Sequence, residues 1–396
     1  MKSSVALSVA PSVALVLAIT PLADAQLTIH VTKAPPIPAN GAIYVAGGFN
    51  GWNPGSASWK MTQLPDSTWA ITMPRGVSGN VEFKLTTGSW DRVELLANGD
   101  QMANRSAMVP STGAETLGVV VARWDTRNGI GTPKKHTASA NVRVLSDTFA
   151  IPQLGRERRV WLYLPPGYAT SKLRYPVLYM HDGQNVFDAA TSFAGEWGID
   201  ETLDSLHALG DRGVIVVAVD NGESHRMSEY NPWKNANPAL MGGEGDKYVD
   251  FLAKTLKPYI DAHYRTMPDR ANTGVMGSSM GGLISLYAAL KYPRVFGRAG
   301  VFSSAHWTAP ELYAYVRRTH PLSPPPKFYF VVGGKEDPEG SMGKQQAMLV
   351  DTLVAAGYLR GTSIVASMPP DGVHSEWFWR REFPAAYLWL FARGKP

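Results

Sequence analysis

RANTGVMGSSMGGLISLYAAL, residues 270–290, carries the strongest fold signal in the chain. A strand-like run, RANTGVM, leads into Gly277-Ser278-Ser279-Met280-Gly281, and an apolar helical run, GGLISLYAAL, leads out. In a chain with 38 glycines a bare GxSxG is a weak signal. Between a strand and a helix it marks a nucleophile elbow, whose sharp turn lifts a serine hydroxyl clear of a sheet. The glycines avoid clashes, and the helix N-terminus favours developing negative charge. In this register the nucleophile is Ser279, not Ser278.

The elbow constrains its partners by chain order, which in such folds runs serine, acid, histidine. Of nine histidines only His306, His320 and His374 follow Ser279. The acid belongs just after a strand, at the carboxyl edge of the sheet. KFYFVVGG, residues 327–334, is that strand, so Glu336 or Asp337 qualifies and the residues leave the choice open. Only His374 follows either, in the loop PPDGVHSEW. Upstream, Tyr179-Met180-His181-Asp182-Gly183-Gln184-Asn185 follows an early strand. A second oxyanion-hole amide comes from such a place. The expected donors are the backbone N–H groups of Met280 and Gln184. His181 and Asp182 precede the serine and are expected to be structural. Asp182 and Asn185 are expected to shape the loop by bonding to backbone.

Further out, RVWLYLPP, YPVLYMHD and VIVVAVD read as strands, and 244–263, 281–292 and 341–357 as helices. Alternation of this kind predicts an α/β fold with a mostly parallel sheet over residues 142–396. Residues 26–125 differ. LTIHVT, AIYVAGG, TWAITMP, NVEFKLT and LGVVVARW are strand-like runs between Gly, Pro, Asn and Ser clusters, predicting a small β-sandwich. The weakly apolar TRNGIGTPKKHTASAN, residues 126–141, reads as a linker. Residues 1–25 read as a signal peptide: Lys2, an apolar run, then Ala23-Asp24-Ala25. That predicts an exported, periplasmic or extracellular protein with no membrane span.

Composition narrows the chemistry. The 396 residues contain no cysteine, which excludes disulfides, zinc–thiolate sites, iron–sulfur clusters and a Cys nucleophile. The net charge of +5 is scattered without a Lys/Arg run, so no nucleic-acid partner is expected. No HExxH, histidine cluster or EF-hand loop occurs, so neither metal nor cofactor is expected. In the β region, GGFNGWNP and KLTTGSW place Trp52 and Trp90 in turn-rich loops. Trp52 is expected to be largely buried. Trp90, with Trp197 and Trp307, is a candidate substrate contact.

RRVWLYLPPGY, PVLYMHDGQNVFD, EYNPW, VMGSSMGGLISLYAALKYPRVFGRAGVFSSAHW, VVGGKE and VHSEWFWRREFPAAYLWL carry a resemblance. Together they resemble the esterase family that includes esterase D, feruloyl and acetylxylan esterases, siderophore esterases and mycolyltransferases. The resemblance implies an α/β-hydrolase domain. It also implies that the acid lies three residues after Gly333, which selects Glu336, and that the residue after the DG motif, Gln184, supplies the second oxyanion amide. GGFNGWNP and FKLTTGSWDRVE resemble starch- and glycogen-binding immunoglobulin-like modules. The expectation is a serine esterase acting on acyl or aromatic esters of a small molecule or polysaccharide through Ser279, His374 and Glu336. Acyl transfer and siderophore-ester cleavage are the alternatives within catalysis, and a non-catalytic polysaccharide-binding protein is the alternative outside it.

Overall fold

The structure, a computed structural model, describes residues 26–391 except 38–40, 100, 101, 103, 126–134, 193, 194, 236–241 and 338. The expected signal peptide and most of the expected linker lie outside the described residues.

One eight-stranded mixed sheet dominates. Its strands are β1 (Val142–Ile151), β2 (Arg156–Tyr163), β3 (Val177–His181), β4 (Ile215–Val219), β5 (Thr273–Ser278), β6 (Arg298–Phe302), β7 (Lys327–Val331) and β8 (Ile364–Ser367). In this numbering the spatial order is 1-2-4-3-5-6-7-8. β2 runs antiparallel to β1 and to β4, and every later pairing is parallel. Every residue of β3, β4 and β5 is buried, as a sheet covered by helices on both faces requires. β1, β6 and β8 escape a reading by composition. β1 is a half-exposed edge, β6 is the Ala- and Gly-containing RAGVF, and β8 is a four-residue edge.

The helices that matter for the site are α1 (Ile199–Ala208), α2 (Met280–Lys291), α3 (Ser341–Ala355) and α4 (Glu376–Phe391). α2 is buried from Met280 to Leu290 and packs on β5 and β6. That explains why its sequence is apolar all round rather than striped. Residues 245–263 form the expected helical segment, interrupted by a π-helical turn at Leu252–Leu256.

The N-terminal unit has its own core. Gln26–Lys33, Trp69–Thr72, Ala114–Val120 and Thr62–Gln63 form one sheet. Tyr44–Gly47, Gly79–Thr86 and Arg105–Val109 form a second. Ile29 and Val31 from the first sheet share one cluster with Val45, Phe83 and Leu85 from the second. The large sheet's clusters contain none of these residues. Trp59, 6% exposed, is a core indole here, stacked on Phe49 with centroids 4.0 Å apart. Trp52 is not largely buried as expected. It is half-buried, with φ 58°, and lies 6.4 Å from the half-buried Trp90.

Candidate active site

Parallel strands deliver their carboxyl ends to one edge of the sheet. Four segments meet there: the turn after β5, the loops after β3 and β7, and the loop from β8 into α4.

The turn after β5 is tight. Ser279 has φ 56° and ψ −122°, a strained conformation for a residue with a Cβ, and it caps α2. The Ser279 N–H donates to the Phe302 carbonyl at 2.9 Å, which ties the turn to the end of β6. A Cβ on Gly277 would stand 2.9 Å from the Gly281 carbonyl carbon and 3.0 Å from the His181 ring, so only glycine fits. Met280 is the first residue of α2, so its N–H has no acceptor one turn back and points out of the helix end. Ser278 is buried, 6% exposed.

After β3 the chain enters a left-handed conformation at Asp182, then a short turn over Gly183–Asn185. A Cβ on Gly183 would meet the backbone of Val219 at 2.8 Å, so the loop can lie against β4 only with glycine there. The Gln184 side chain accepts from the Asn221 N–H at 3.2 Å, and its carbonyl accepts from the Thr191 hydroxyl at 2.7 Å. Asp182 acts through side chains rather than backbone, contrary to expectation. Arg226 donates to it through Nε at 2.6 Å and Nη2 at 2.9 Å, and Asn221 Nδ2 donates at 2.7 Å. Burial works against this charge, but Arg226 outweighs it and holds the Asp182 carboxyl below its ordinary range. Burial drives the His181 imidazole down to about 3, so it is neutral at physiological pH. It pairs with the Tyr248 hydroxyl at 2.9 Å. Asn185 Nδ2 donates to Glu376 at 3.4 Å, and burial pushes the Glu376 carboxyl up to about 7.

The loop after β7 separates the two acids that the residues alone could not. Glu336, 3% exposed, places Oε2 2.9 Å from His374 Nδ1. Its Oε1 accepts from the Gly333 N–H at 2.6 Å and from the Ser303 hydroxyl. Trp379 Nε1 donates to Ser303 Oγ at 2.8 Å, and its indole meets the His374 ring edge-on at 5.1 Å. Asp337 points elsewhere. It accepts backbone N–H bonds from Ser341 at 2.7 Å, Met342 at 2.9 Å and Glu339 at 3.2 Å, capping α3. Burial opposes a charged His374, yet the Glu336 carboxylate overrides it and holds the imidazole above its ordinary value. Glu82 of the N-terminal unit and Glu376 push in the same direction.

Ser303, Trp379 and Arg226 escape the sequence reading, although signals exist. Ser303 directly follows β6 at the site edge, and Trp379 lies about one helical turn beyond His374. Arg226 has no local signal, because its partner lies 44 residues away. Of the candidate substrate contacts, Trp307 is 43% exposed on the turn after β6. Trp197 is a core residue, which corrects its assignment. It is 3% exposed and packs 5.1 Å from Phe302 and 5.6 Å from Trp379. No described helix is long and apolar enough to cross a membrane.

An acid–imidazole pair at the same sheet edge as a serine on a strained strand-to-helix turn is suited to acyl transfer. Comparison with known proteins agrees with that chemistry. The family model described as "Putative esterase" matches residues 151–390. The uncharacterized protein YbbA of Bacillus subtilis is 27% identical over 248 residues, 60% of this chain and 94% of its own. An endo-1,4-beta-xylanase/feruloyl esterase of Xylanibacter ruminicola is 29% identical over 216 residues, 53% of this chain but only 27% of that protein. Among solved structures, the enterobactin esterase FES of Shigella flexneri aligns with a TM-score of 0.51 at 17% identity, covering 92% of each chain. At that identity the likeness speaks for the α/β-hydrolase fold.

Proposed function

The chain belongs to the Putative esterase family and is a carboxylic ester hydrolase, and from that premise we propose that it works through a Ser279–His374–Glu336 triad on acyl or aromatic esters carried by carbohydrate. The observation that carries the triad is the 2.9 Å contact between His374 Nδ1 and Glu336 Oε2. With Nδ1 carrying the proton that Glu336 accepts, Nε2 is left as the base that takes the Ser279 proton. Ser279 Oγ attacks the ester carbonyl, and the oxyanion is held by the N–H groups of Met280 and Gln184. Protonated His374 then gives its proton to the leaving alcohol. Water, deprotonated by the same imidazole, releases the acid and restores the serine. Glu336 stays ionised throughout and stabilises the imidazolium.

The carbohydrate part of the reading rests on the N-terminal unit and on the relatives. We read residues 26–125 as an immunoglobulin-like sandwich, joined through the segment 126–141 to the hydrolase unit from residue 142 onward. The neighbouring Trp52 and Trp90, half-buried and 6.4 Å apart, suit a platform for sugar rings. The xylanase/feruloyl esterase relative supports an aromatic acid on a plant polysaccharide. The leader-like N-terminus supports export. Ser279→Ala and Ser278→Ala, assayed on a p-nitrophenyl acyl ester and on feruloylated and acetylated xylan, test the proposal. Ser279→Ala should lose at least about a thousandfold in kcat with an unchanged Tm. Near-normal turnover by Ser279→Ala, with an inactive and folded Ser278→Ala, would reject the register.

A further inference from the structure

We propose that Glu196, Asp200 and Glu201 form a binding site for a hard divalent cation, Ca²⁺ by preference, at the start of α1. Glu196 lies just ahead of the helix, and Asp200 and Glu201 lie in its first turn. Each offers a carboxylate oxygen, and the three oxygens lie within 4.8 Å of one another. A Ca²⁺ ion binds oxygens at about 2.3–2.6 Å, so two ligands across the ion can stand about 4.6–5.2 Å apart. The trio contains neither imidazole nor thiolate, which disfavours zinc and copper.

An acidic cluster alone can be a solvated surface, but this one is not. Asp200 is 0% exposed, and its Oδ1 receives no N–H or O–H donor from the rest of the chain; its carboxyl lies against that of Glu201. Glu196 Oε1 and Glu201 Oε2 are also shielded from solvent and unpartnered. The protein already holds the opposite oxygens of two of these groups. Asp200 Oδ2 accepts from the Ser139 N–H at 2.6 Å, and Glu196 Oε2 accepts from the Thr137 hydroxyl at 3.0 Å. The carboxylates are thus gripped from one side and left bare on the other. Arg380 Nη2 stands 4.0 Å from Glu201 Oε2, at the limit of an ion pair. The next acid, Asp188, is occupied by His136 Nδ1 at 2.6 Å and the Thr137 N–H at 3.1 Å. Burial, with the charge of Glu201, raises Glu196 to about 7, and burial, the charge of Glu201 and a carboxyl hydrogen bond shared with it raise Asp200 to about 8. A bound cation reverses that bias by adding the missing positive charge.

The position gives the ion a task. The Trp197 N–H donates to the Asn185 carbonyl at 2.8 Å, and the Ile199 N–H donates to the Val186 carbonyl at 3.2 Å. The start of α1 therefore braces the loop that carries Gln184. Thr137 and Ser139 fasten the segment before β1 to the same place. Closing this ring of contacts with a cation should stiffen the loop whether or not the triad reading holds.

The test uses the full chain, stripped with EDTA and dialysed at neutral pH. Ca²⁺ is then titrated by calorimetry and by thermal unfolding. Tb³⁺ emission, excited through the adjacent Trp197 indole, provides a second reading. The expected result is saturable binding of one ion per chain with a rise in Tm of several degrees. Glu201→Gln and Glu196→Gln should each weaken binding at least tenfold and remove the Tm rise. Because the wholly buried Asp200 is the riskiest position to alter, the two glutamates carry the test. The proposal fails if wild type shows neither heat nor a Tm rise at about 10 mM Ca²⁺, above the weakest range for such sites of about 1 mM. It also fails if both glutamine variants bind as wild type does. A Tm rise in the metal-free variants, with no Ca²⁺ response in wild type, would mean that the three acids share protons instead.

Discussion

Glu336→Gln offers the sharpest test of the mechanism, because each oxygen of Glu336 has a defined partner. Oε1 accepts from the Gly333 N–H at 2.6 Å and from Ser303, while Oε2 faces His374 Nδ1 at 2.9 Å. A carboxamide can accept on only one side. If its NH2 takes the Oε1 place, it opposes the buried Gly333 N–H, and two donors face each other at a cost of about 1–3 kcal/mol. The amide therefore turns its oxygen to Gly333 and its NH2 to His374. That forces the imidazole to accept at Nδ1 and carry its proton on Nε2, where it can no longer take one from Ser279. In the serine-protease case used as the general template, this tautomer error costs about 10⁴ in kcat. At about 1.4 kcal/mol per tenfold, the barrier should rise by about 4–5.5 kcal/mol, or 10³–10⁴ in rate. Asp337→Asn is the internal control. It loses one oxygen of a helix cap, so stability should fall by about 1 kcal/mol while kcat stays within roughly twofold. Steady-state kinetics on a p-nitrophenyl ester, paired with thermal unfolding, reads both. A Glu336→Gln enzyme retaining more than a tenth of wild-type kcat would refute the argument. So would an Asp337→Asn enzyme with normal Tm and a hundredfold lower kcat.

Four further outcomes can be measured. His374 must be neutral to act as a base, so kcat/KM should fall as pH drops through its raised pKa. Glu82→Gln removes one charge that favours the imidazolium, and should move that acid limb to lower pH; a limb that stays put or moves up contradicts this. Arg226→Met strands the Asp182 carboxylate with Asn221 alone. It should destabilise by about 3 kcal/mol, a Tm loss of roughly 6–12 °C for a unit of this size, checked by calorimetry. In affinity electrophoresis on α-glucan or xylan, Trp90→Ala and Trp52→Ala should each weaken retardation by roughly fivefold, about 1 kcal/mol per lost ring, in full-length protein of unchanged Tm. Unaltered retardation, or none in wild type, would leave the N-terminal unit without a glycan role.

Much of the site was legible because its signals are local. Gly277-Ser278-Ser279-Met280-Gly281 sits between an apolar strand and an apolar helix, and part of the steric demand for glycine at 277 comes from Gly281, four residues on. The central strands announced themselves because a strand buried on both faces has no polar position to confuse the pattern. The edges did not: β1 is half exposed and its pattern is diluted. The assignment of Trp197 as a substrate contact failed for a related reason. Trp197 and Trp307 look alike in sequence, yet one is packed against Phe302 and Trp379 and the other is 43% exposed.

Local sequence was enough to place Ser279 on a strand-to-helix turn, to show the α/β alternation and to set off a β-rich unit before it. Each depends on the chemistry of neighbours within a few residues. Between two adjacent acids the residues alone left the choice open and the family resemblance selected Glu336; the tertiary structure shows that this one faces the histidine. Glu336 and Asp337 differ by a single step along the chain, but that step sends one carboxylate toward His374 and the other to the first turn of α3. It alone brought Ser303 and Trp379, 76 residues apart, into one hydrogen bond behind the pair. It also gathered Glu196, Asp200 and Glu201 with their bare oxygens turned away from water. The spacing of those three acids matches no ligand motif, because the grouping depends on where a loop meets the first turn of a helix and on burial.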